Sequence, residues 1–132
     1  MVGQPVDAGM ARRRGAAAQV LVDDPGAPVL SAGDAHHLGR VLRLRPGEPV
    51  VATDGAGRWA WCRYDMVGGR PALHAVLSNV SDITGGPEVI ELYTAQMNDA
   101  RLFYALAVAP RDQYPTYSRV FSSVAASIQF AR

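Results

Sequence analysis

Apolar residues recur at two spacings along this chain, and each spacing predicts its own kind of element. Short apolar runs bounded by turn residues predict strands at 19–22, 50–53, 58–64, 72–77, 89–95 and 102–108. The turns between them carry Asp23-Asp24-Pro25-Gly26, Asp54-Gly55-Ala56-Gly57, Gly68-Gly69 and Asn98-Asp99. Apolar residues at helical spacing predict helices over about 32–44 and 115–129. Ser31 with Asp34 three residues later marks the start of the first helix, and Pro46-Gly47 ends it. Pro115 suits the first turn of the second, where Tyr117, Val120, Phe121, Val124 and Ile128 form one apolar stripe. Short strands between glycine-rich turns predict a mainly β fold: a small barrel with one short helix, then a β-hairpin and a C-terminal α-helix. The implied divisions are a flexible extension at 1–9, the barrel at 10–78, a linker at 79–88 and the hairpin with its helix at 89–132.

A chain of 132 residues buries enough surface to fold without a disulfide, and its single cysteine, Cys62, forms no internal bridge. No run approaches the ~20 apolar residues of a membrane span, and residues 1–9 do not resemble a signal peptide. A cytoplasmic location with no membrane partner is the expectation.

The first helix changes the picture. At 3.6 residues per turn, Ala35, Leu38, Val41 and Leu42 share a face. His36, Arg40 and Arg43 fall opposite, with His37 at the margin and Gly39 thinning the rod. Arg45 lies just beyond, and Arg12, Arg13 and Arg14 extend the basic patch if the N-terminal arm folds alongside. No acid occurs from Ala35 to Gly47, although the net charge is only +1. Every basic residue is arginine, whose planar fork suits phosphate and base edges. The face is therefore either a solvated helix surface or a binding site for several phosphates. Adjacent histidines do not have the i, i+4 spacing of a helical metal site, so no metal is expected.

Other candidates are weaker. Trp59 and Trp61 share a strand face, and either stack on unpaired bases if exposed or belong to the core if buried. Arg58 and Arg63 flank them. Cys62 is expected to be a structural thiol and His74 an ordinary strand residue. Serines 118, 122, 123 and 127 lack an arranged histidine and acid, so no catalytic residue is assigned.

The run His36-His37-Leu38-Gly39-Arg40-Val41-Leu42-Arg43-Leu44-Arg45-Pro46-Gly47-Glu48-Pro49-Val50 precedes Asp54-Gly55-Ala56-Gly57. Together with Arg12–Arg14 ahead of Val22-Asp23, it resembles the start of the RsmE family of 16S ribosomal RNA (uracil-N3)-methyltransferases. The resemblance covers residues 10–78. It implies a PUA-like β-barrel that seats an enzyme on ribosomal RNA or the small ribosomal subunit. It also implies a role in bacterial ribosome biogenesis, with His36, His37, Arg40, Arg43, Arg45 and Arg12–Arg14 as the RNA-binding set. The family's chemistry belongs to a second, knotted domain that binds S-adenosylmethionine and carries a Gly-Pro-Glu-Gly-Gly loop. Gly85-Gly86-Pro87-Glu88 has some of those letters in another order and is expected to be a turn, so no cofactor is assigned to this chain. Family dimers form largely through that second domain, so the resemblance does not carry dimerisation over to this chain, and a homodimer is neither implied nor excluded. The tail departs from the family. Ala109-Pro110 with Tyr117, Phe121 and Ser127-Ile128 resembles the last strand and helix of small α+β modules. A non-catalytic protein-interaction domain is the alternative reading.

Overall fold

A computed structural model describes residues 15–97 and 101–130. Its elements are β1 (Ala18–Leu21), α1 (Ala32–His36) continuing into a π-helical turn (His37–Val41), β2 (Pro49–Thr53), β3 (Trp59–Val67), β4 (Arg70–Val80), β5 (Pro87–Gln96), β6 (Leu102–Pro110) and α2 (Tyr114–Ser127). The fold is mainly β, as the sequence predicts. The extension at 1–9, the arginines at 12–14 and the Asn98-Asp99 turn lie outside the described residues.

The six strands form one sheet in sequence order. β1 runs parallel to β2, and all other neighbours are antiparallel. Alternation along the strands divides the sheet into two faces. On one face Val20, Val50, Cys62, Tyr64, Leu73, Leu77 and Leu92 meet in a single core that also takes in Leu30 and Leu38. Side chains from β1 and β5 reach the same cluster, so the sheet curls around it. Thr94 Oγ1 donates to the Pro28 carbonyl, tying the loop before α1 to β5.

On the other face Val67, Ala72, Tyr93 and Ala95 pack with Phe103, Ala105, Ala125, Ile128 and Phe130 under α2. The stripe expected on α2 is displaced. Tyr117, Val120 and Val124 are exposed, while Tyr114, Ser118, Phe121 and Ala125 lie against the sheet. Those residues follow i, i+4, i+7, i+11, which is also one helix face. The small side chains of Ser118 and Ala125 alternate there with the rings of Tyr114 and Phe121.

Residues 79–88, expected as a linker, are the end of β4, a tight turn and the start of β5. Gly85 N–H donates to Ser81 O at 2.9 Å, and Ser81 N–H donates to Gly86 O at 2.9 Å. Each strand contributes a backbone ladder of 8 Cα partners, from Leu73↔Thr94 to Val80↔Pro87. The hairpin β5–β6 therefore continues the same sheet.

Candidate nucleic-acid interface

Ser31 opens α1 with its hydroxyl accepting from Asp34 N–H at 3.1 Å, the cap that the sequence predicts. The helix then widens. Leu42 N–H donates to His37 O at 2.9 Å, the i→i+5 bond of a π turn. Leu38 points into the core and is fully buried, which is worth about 2 kcal/mol. The extra residue in the turn shifts everything after Leu38. Val41 and Leu42, expected on the buried face, are 59% and 44% exposed. The next inward residue is Leu44, which packs against the core and donates its N–H to Leu38 O at 2.9 Å. Between them Arg43 turns the chain in a left-handed conformation, φ +53°.

His36, His37, Arg40, Arg43 and Arg45 are all exposed. Among the described residues, the side chains of Arg40, Arg43 and Arg45 enter no ion pair. Acids nearby are engaged elsewhere. Arg58 holds Asp24 at 2.6 Å and lies 3.9 Å from Asp54, while Glu48 accepts from the backbone N–H of Arg45 at 2.7 Å. The candidate arginines thus keep their charge available to an outside anion.

His36 and Arg40, one helical turn apart, line a cleft of about 430 Å³ with Tyr64, Met66 and Pro71 from β3 and β4. Gly39 makes room for it, since a Cβ there would lie 3.0 Å from the Tyr64 hydroxyl. Burial raises the Tyr64 pKa above its ordinary value, so this floor stays neutral. Its hydroxyl points at Met66 Sδ, 3.6 Å away. His37, Arg43 and Arg45 lie outside the cleft, and Arg12–Arg14 lie outside the described residues.

The aromatic pair divides. Trp59 is buried, whereas Trp61 is 39% exposed and meets Trp59 edge-on at 6.2 Å. Arg63 donates to Gly47 O at 2.7 Å. Cys62 is buried, and burial pushes its thiol to about 12, which makes it unreactive near neutrality.

His74 is more than an ordinary strand residue. Its Nε2 lies 2.7 Å from Glu91 Oε1, and its ring stacks on Tyr93 at 4.1 Å. Tyr114 donates to Glu91 Oε2 at 2.9 Å. Burial, with the Glu91 charge beside it, pushes Tyr93 up to about 12. Burial and the hydrogen bond to Glu91 do the same for Tyr114, also to about 12. Sequence reasoning missed this network because its members are far apart along the chain. The available signal was Glu91 alone among apolar residues in a strand. Ser118, Ser122 and Ser123 line the same cleft, but Ser118 Oγ is turned to Pro115 O at 3.4 Å and His74 Nε2 is taken by Glu91. Among the described residues no helix is long and apolar enough to cross a membrane.

Residues 30–76 match the family model of the RNA methyltransferase PUA domain. No curated protein and no solved structure matches the chain. The matched segment runs from Leu30, through the basic turn of α1, to Val76 in β4, and it contains His36, His37, Arg40, Arg43 and Arg45. Over that segment the chain is similar to the PUA domain of RNA methyltransferases.

Proposed function

We propose that this chain is a ribosomal-RNA-binding module of RsmE type, acting in the bacterial cytoplasm. Methyl transfer from S-adenosylmethionine to a uracil would belong to a separate catalytic domain. Gly85 and Gly86 belong to the tight β4–β5 turn. The observation that carries the reading is the exposed arginine set on and just after α1, free of the protein's own carboxylates. Arg40 and Arg43 contact phosphates or groove edges. His36 and His37 add hydrogen bonds, and Arg45 with Arg12–Arg14 adds electrostatic attraction. Shape and backbone contacts dominate, because the grooves of paired RNA expose little sequence information.

Electrophoretic shifts with a 16S ribosomal RNA fragment test this at two salt concentrations. Binding is expected to weaken as salt rises, and the Arg40→Ala/Arg43→Ala variant to lower the salt slope by about two. Absence of binding at low salt would overturn the reading. It would favour the alternative, a protein-interaction domain. One observation speaks for that alternative: Leu102, Tyr104, Leu106 and Val108 form an exposed apolar row on the uncharged edge strand β6.

A further inference from the structure

Strand alternation places Trp61, Arg63 and His74 on the sheet face opposite the core that seats α1. Two clefts adjoin there, of about 320 Å³ and 540 Å³, and they share His74 and Val76. Trp61 and Arg63 line the first, while Ser118, Arg119 and Ser122 of α2 line the second. The result is one continuous groove between β3 and α2.

We propose that this groove binds an unpaired, single-stranded stretch of RNA, with a base stacked on Trp61 and phosphates held by Arg63 and Arg119. The ligand class rests on the RNA-binding reading above, but the surface is a different one. Four features support it. Trp61 is exposed and propped edge-on by the buried Trp59, so an open ring is held in one orientation. Arg63 is fixed by one nitrogen on Gly47 O, and its remaining N–H groups are left for an anion. Arg119 is exposed and has no ion pair among the described residues. Glu91 also lines the second cleft, but its carboxylate is buried and met on both oxygens, by His74 Nε2 and by the Tyr114 hydroxyl.

Asp65 is the acid at the rim, 4.0 Å from His74 Nδ1, and its Oδ1 accepts from Met66 N–H at 2.7 Å. One flat aromatic with two guanidinium groups suits any base, since every base has a π face. Paired RNA would not fit this role, because its base faces are covered by stacking.

The test is a fluorescence titration with a short oligouridylate at low salt. Saturable quenching of tryptophan emission is expected, since Trp61 is the accessible ring and Trp59 is not. Trp61→Leu keeps an apolar cover over β2 and should abolish the quenching and weaken binding about tenfold, the loss of one base–aromatic stack. Arg119→Ala, on an exposed helix face, should weaken binding several-fold without altering the melting temperature. Arg40→Ala/Arg43→Ala should retain the quenching while losing affinity for the structured ribosomal fragment, and Trp61→Leu should do the reverse. Folded wild-type protein that shows no saturable quenching overturns the proposal. So does quenching that survives Trp61→Leu or disappears in Arg40→Ala/Arg43→Ala.

Discussion

Arg43 has a left-handed backbone at the point where the widened end of α1 turns back toward β2. That conformation costs a non-glycine residue ~1–2 kcal/mol, and glycine is the usual occupant of such a cap. Gly68 shows the opposite economy. It sits at φ +56° in the β3–β4 turn, and a Cβ there would lie 2.5 Å from the Phe130 ring. Gly68→Ala is therefore expected to destabilise the fold by at least about 1 kcal/mol from the backbone alone, and to displace Phe130 from its edge-on contact with Phe103. Urea denaturation measures the loss, and a variant as stable as the wild type would contradict the geometry. Residue types were legible in the sequence at this scale. Their conformations were not, because nothing in the letters around Arg43 marks a left-handed residue.

The elements were largely legible. Strands alternate or are uniformly apolar, and their glycine-rich turns are sharp punctuation, so β1 to β6 fall near their expected places. The faces of the two helices were harder to read. A single π turn moved the inward position from Val41 and Leu42 to Leu44, and α2 turned Tyr114, Ser118, Phe121 and Ala125 inward and left Tyr117, Val120 and Val124 of the expected stripe outside. Elements also meet in ways no local pattern reports. His74 of β4, Glu91 of β5 and Tyr114 at the start of α2 join through one carboxylate. This junction predicts a response to alkali. Tyr93 and Tyr114 have folded pKa values raised to about 12 from an ordinary 10.0. Their contribution to stability is fully present below pH ~10 and is lost as pH rises through the folded value. Thermal melts should fall in that window, and Tyr114→Phe should make the fall shallower. A melting temperature unchanged across it would exclude the network as a source of stability.

At the scale of the molecule, the strands after the turn at 81–86 share the sheet and core of the strands before it. Leu92 of β5 is buried in the same cluster as Val20 of β1 and Leu38 of the π-helical turn. A chain cut after Val80 would expose the whole ladder of β4 and open that core. It is expected not to form a cooperative domain, whereas the full chain should unfold in one transition by both circular dichroism and tryptophan emission. Independent folding of the shortened chain, or two separated transitions, would show that the two parts are autonomous.

The order of turns, strands and helices followed from the sequence by itself, and so did the arginine-rich, acid-free run from Ala35 to Gly47. Backbone geometry and local charge are properties of neighbours along the chain. The tertiary structure decided which side chains face which partners. It buried Trp59 but left Trp61 open, gave Arg58 to Asp24, left Arg40 and Arg43 unpaired, and brought His74 to Glu91 across a strand ladder. Those outcomes depend on strand register and helix rotation, and both are set by how the whole core packs.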